Sequence, residues 1–146
     1  MEIVVGIVPY HRRLANAINE HYDDVVQGVN VSNVMRRTDI YTIMTIIMKV
    51  SVVDYMSDIA SMASESIYRH LNLKYSVSML MISHMVNEII ESDEYIEIRH
   101  RINQCVARTS DRHLGVNDVI LTWNLSKVVI HVAGRRGEYE SNSSHS

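Results

Sequence analysis

Lys74-Tyr-Ser-Val-Ser-Met-Leu-Met-Ile-Ser-His-Met-Val-Asn-Glu-Ile-Ile-Glu91 is the stretch whose reading decides the fold. From Tyr75 to Asn87 it carries no formal charge, with His84 neutral. Val77, Leu80, Met81, Ile82, Met85, Val86, Ile89 and Ile90 fall on nearly every side of a helical wheel. A helix that is apolar all round belongs inside a bundle. Ser76, Ser78, Ser83, His84 and Asn87 interrupt it too often for a membrane span. Asn72 is placed to cap it, and Glu88 and Glu91 mark its return to water. His84, inside such a helix, would need a structural hydrogen-bond partner. The expectation is a buried central helix, Lys74–Glu91, wrapped by the others.

On the N-terminal side, Val52, Tyr55, Met56, Ile59, Met62, Ala63, Ile67 and Leu71 make an amphipathic stripe, with Asp54, Ser57, Asp58, Ser61, Ser64 and Glu65 opposite. This predicts a helix over 52–71, which can also run continuously from residue 40. Ile40–Val50 is strongly apolar but rich in β-branched residues, so a strand competes there. Val31–Arg37 reads as a short piece of about two turns, after which Thr38 or Asp39 can cap the next element. Leu14, Ile18, Tyr22 and Val25 recur at helical spacing between Pro9 and Gly28, which predicts a first helix over 9–27.

On the C-terminal side, Ser92-Asp93-Glu94 supplies a cap and acids for a helix carrying Tyr95, Ile98, Ile102 and Cys105. Asn117 can cap a last helix through Val128, and the run 128–133 suits either its final turns or a short strand. The fold class that follows is all-α: a single-domain bundle of about seven helices over 1–134, then a polar disordered tail over 135–146.

Composition agrees. The chain of 146 residues is long enough for a substantial core, and five glycines and one proline favour helices over a turn-rich β fold. A net charge of -3 argues against a nucleic-acid partner. Nine methionines and no phenylalanine describe a core that re-packs easily. Cys105 is alone, so no internal disulfide forms, which suits a reducing cytosol. The apolar start Met1–Val8 is a poor signal peptide, and no segment is long enough to span a membrane. The Asn-x-Ser triplets at Asn30, Asn124 and Asn142 are then chance matches.

Catalytic signatures are missing. The eight histidines form no His-Glu-x-x-His and no Cys/His cluster, so neither a metal nor another cofactor is expected. The scattered glycines build no phosphate loop and no nucleophile elbow. Cys105 lies on an apolar helical face, where packing is its expected role.

Recognition by a surface remains. Val34-Met-Arg-Arg-Thr38-Asp39 has the form apolar, three residues, small, Asp; Asn72-Leu-Lys-Tyr75 opens the central stretch; Asp111-Arg-His-Leu-Gly115-Val-Asn117 forms a late turn. Over residues 10 to about 130 this layout resembles the Bcl (B-cell lymphoma two) family of apoptosis regulators, particularly its short, divergent viral members. The Trp and Gly of that family's central-helix motif are absent, its Arg position holds Tyr75, and its late Gly-Gly-Trp turn keeps only Gly115. The resemblance implies an inhibitor of apoptosis in the cytoplasm, that of a host cell if the chain is viral. It would sequester the amphipathic death-motif helix of a pro-apoptotic partner in a hydrophobic groove. Tyr55, Met56, Ile59, Met62, Val77 and Met81 would line the groove, and Arg69 or Lys74 would meet the partner's Asp. An exposed groove of this kind also allows a homodimer.

A rival is a histone fold. Ile47-Met48, Val52, Asp54, Ile59-Ala60 and Ala63-Ser64 resemble the long helix of a core histone, which would make an obligate dimer that typically binds DNA.

Overall fold

The computed structural model describes residues 2–9, 12–53, 58–106, 116–124 and 127–133. Among these the chain is mostly helical, with five α-helices rather than about seven. They are α1 (Arg12–Val25), α2 (Asn33–Val53), α3 (Ile59–Asn72), α4 (Met79–Ile90) and α5 (Asp93–Val106). The expectation of helices alone is corrected by three strands: β1 (Glu2–Pro9), β2 (Val119–Asn124) and β3 (Lys127–Ala133). They form one antiparallel sheet in the order β1-β3-β2, so the last strand lies in the middle. The expected tail, 135–146, lies outside the described residues.

The helix at the centre is α2, not α4. Ile43, Met44, Ile47, Met48, Val50 and Val52 are all buried, and α2 packs on α1, α3, α5 and β2. Packing on several sides holds its many β-branched residues in a helix against their intrinsic preference. Thr38, Thr42 and Ser51 each donate to the carbonyl one turn back, so the buried Ser51 carries no idle donor.

α4 is amphipathic instead. Ile82, Met85, Val86 and Ile89 are buried against α3 and α1, while Leu80 is 77% exposed. His84 is exposed and faces Glu88 at 4.0 Å, so the buried partner expected for it is not needed. The helix starts later than expected. Ser78, not Asn72, caps it by accepting from Met81 N–H, and Asn72 ends α3. The absence of charge over 75–87 suggests all-round burial, but serines, His84 and Asn87 supply a polar face without charge.

A continuous helix from residue 40 to 71 does not occur. Asp39 near the start of α2 contacts His70 at the end of α3, so the two helices run antiparallel. The first helix begins at Arg12, and Pro9 belongs to β1. α1 closes at Gly28, whose φ of 76° is a left-handed conformation that favours glycine. Ser92 caps α5 through Tyr95 N–H, as the sequence predicts. The expected last helix over 117–128 is a 3₁₀ turn (Val116–Asp118) followed by the β2–β3 hairpin. In β3, buried Val128 and Ile130 alternate with half-buried Val129 and His131, the period of a strand. One continuous core joins residues from α1 through β3.

Candidate functional site

Asp39 is the most constrained polar residue described. Its carboxylate is fully buried, and four side chains from three other elements converge on it. The Tyr22 and Tyr75 hydroxyls donate to Oδ2 at 2.6 and 2.7 Å. Lys74 Nζ donates to Oδ1 at 2.8 Å, and His70 Nε2 lies 3.3 Å from the same oxygen. Burial alone would raise the carboxyl; the hydrogen bonds from Lys74, Tyr22 and Tyr75 outweigh it and hold Asp39 below its ordinary range. Burial and the neighbouring carboxylate push the Tyr22 phenol far up, and burial raises Tyr75 as well.

The residue types are those of acid–base chemistry, but the arrangement is a clasp. Both carboxylate oxygens are occupied by internal donors and neither reaches solvent. A buried anion satisfied in this way fixes the relative positions of α1, α2, the end of α3 and the turn into α4. The Thr38–Asp39 pair noticed in the sequence therefore ends in a structural carboxylate.

Beside the clasp, α1 and the first half of α2 enclose a cleft of about 1000 Å³. Ala15, Ile40, Tyr41 and Met44 give its apolar part; Arg12, Arg36 and Arg37, with Asn16, Asn19 and Asn33, give its polar border. Arg36 ties the walls together. It donates to Asn19 Oδ1 at 2.7 Å and Asp23 Oδ1 at 2.8 Å, and its guanidinium stacks 4.9 Å from the Tyr22 ring centroid. The hydrogen bond from Arg36 holds the Asp23 carboxyl below its usual range. Tyr22 thus belongs to the clasp and, through its contact with Arg36, also braces the cleft. A second, smaller cleft of about 540 Å³ lies on the other flank of α1, bordered by Glu20, His21, Glu88, Glu91 and Glu94.

The groove residues expected from sequence are not brought together around either cleft. Ile59 is buried in the core, while Met62, Val77 and Met81 are half-buried and packed against it. α3 and α4 pack directly on each other. Tyr55 and Met56 lie outside the described residues. Of the two expected cations, Arg69 pairs with Glu65 one turn away and Lys74 is committed to Asp39. The cleft arginines were legible only as charges on helix faces. Tyr22 was legible as a core residue, and His70 carried no signal in the sequence.

Among the described residues no group of histidine, cysteine and acidic side chains is arranged to hold a metal, and no helix is long and apolar enough to cross a membrane. The chain matches no family model, no curated protein and no solved structure.

Proposed function

We propose that this protein is a non-enzymatic binding module that captures a helical segment of a partner protein in the α1–α2 cleft. The observation that carries this reading is the cleft itself: about 1000 Å³, with Ala15, Ile40, Tyr41 and Met44 set among arginines and asparagines, between two helices tied together by Tyr22–Asp39 and by Arg36. Along α2 it runs from Asn33 to Met44, about 16 Å or three helical turns at 1.5 Å per residue. That length suits the i, i+3/i+4, i+7 anchors of an amphipathic helix.

Within this class, the Bcl-like layout names the death-motif helix of a pro-apoptotic partner as the ligand to test first, which would make the chain an apoptosis inhibitor acting in the cytosol. That narrower reading draws no support from α4, whose outer face is exposed where a surrounded central helix was expected. It also moves the partner's Asp from Arg69 and Lys74 to the cleft arginines. Calorimetric titration with a panel of pro-apoptotic peptides tests it: saturable heat with at least one supports the narrower reading, and no heat at high micromolar concentration removes it. The histone-like rival is disfavoured by the antiparallel packing of α2 on α3, which leaves no single long helix through residues 47–64.

A further inference from the structure

We infer that the cleft reads charge as well as shape: it selects a partner helix with an acidic edge, and Arg37 and Arg12 are the residues that read it. This rests on the capture reading above and adds the chemistry of the captured segment. The chain as a whole carries a net charge of -3, yet among the described residues the cleft lining holds three arginines and no acidic side chain. The three are not equivalent. Arg36 is consumed internally by Asn19, Asp23 and the Tyr22 ring. Arg37 and Arg12 are exposed, and neither has an ion-pair partner among the described residues.

The neighbouring chemistry favours a peptide over a nucleic acid. Phosphate binding would use the arginines, but base stacking needs a series of aromatic faces, and among the described residues Tyr41 is the one aromatic residue lining the cleft. Ala15, Ile40 and Met44 suit aliphatic anchors, with Met44 able to adjust its shape. A carboxylate on the edge of the docked helix would meet a guanidinium in a charge-assisted pair.

The experiment uses the full chain and three designed 16-residue helices with one apolar face and Glu, Gln or Lys along its edge. Fluorescence anisotropy gives the three affinities. The Glu helix is expected to bind tightest, by up to about fivefold per arginine engaged, with the margin shrinking as salt rises. Arg37→Glu and Arg12→Glu should each erase or invert the order, whereas Tyr41→Ala should weaken all three helices alike. Both arginines are exposed, and unchanged thermal unfolding of the variants, with Arg37→Gln as a milder second substitution, shows that the fold is intact. Equal binding of the three helices, unaffected by the arginine variants, overturns the charge reading and leaves capture standing. No binding of any helix overturns both. Tight binding of a single-stranded oligonucleotide that Arg37→Glu abolishes, with no helix bound, overturns the peptide assignment in favour of nucleic acid.

Discussion

The hydroxyl of Tyr22 lies 2.6 Å from Oδ2 of Asp39, seventeen positions further along the chain, and both groups are sealed from solvent. Together with the Arg36 bonds to Asn19 and Asp23, this contact sets the spacing of α1 and α2 and positions the cleft between them. Removing the carboxylate leaves two phenols, an ammonium and an imidazole without their acceptor.

The first prediction concerns that loss. Asp39→Ala should destabilise the fold by about 2–4 kcal/mol, because it leaves the buried Tyr22 and Tyr75 hydroxyls without their acceptor. Tyr22→Phe, which deletes one donor and leaves the anion two other strong ones, should cost about 1 kcal/mol. Urea unfolding monitored by circular dichroism measures both. Equal midpoints for wild type and Asp39→Ala would sink the clasp.

Stability should fall at both ends of the pH scale for separate reasons. Folded Asp39 lies below the ordinary aspartate value of 3.8, so the unfolded chain binds its proton more readily. Its contribution is complete above that value and is lost as pH falls through the folded one. Folded Tyr22 lies above the ordinary 10.0, so its contribution is complete below pH 10 and is lost as pH rises further. Melting curves of wild type, Asp39→Asn and Tyr22→Phe separate the limbs: the first variant should flatten the acid side and the second the alkaline side.

Truncations can decide which helix is central. Ile47→Ala in α2 should cost about 2–5 kcal/mol, because its side chain is fully buried. Leu80→Ala in α4 should stay within about 0.5 kcal/mol, because Leu80 is largely exposed. Comparable losses at the two positions would return α4 to the interior.

A smaller lock holds the opposite end of the bundle. Ser51 donates to the Ile47 carbonyl, so its oxygen is free to accept from the Tyr95 hydroxyl at 2.6 Å, joining α2 to the start of α5. Tyr95→Phe should lower stability by about 1 kcal/mol. Hydrogen exchange should rise in the first turn of α5 more than in α1; uniform change across the fold would argue against a local lock.

Helix position was readable where period and capping agreed, as in α5. In α1 and α3 the period held but the starts did not, for Pro9 lies in β1, Val52 and Val53 close α2, and α3 begins only at Ile59 without a side-chain cap. Burial was not readable from apolar content alone. Leu80 and Ile82 are equally greasy in sequence, yet one faces water and the other the core. What separates them is the packing of α3 and α1, which no window of α4 contains. β1 and β2 were missed for a related reason. Their partner lies in β3, so the evidence that 2–9 is a strand sits in residues 127–133. The clasp was half legible: Thr38–Asp39, Lys74 and Tyr75 each drew notice, but the carboxylate that joins the last two was visible only in three dimensions.

The sheet order has a bearing on synthesis. Val8 pairs with Val128, 120 positions later, so β1 emerges from the ribosome long before the strand that completes it. The helical core can assemble during translation, while β1 must wait as an unmatched edge until β3 arrives between it and β2. The step most exposed to delay and to association therefore belongs to β1, and it ends only when β3 has been made.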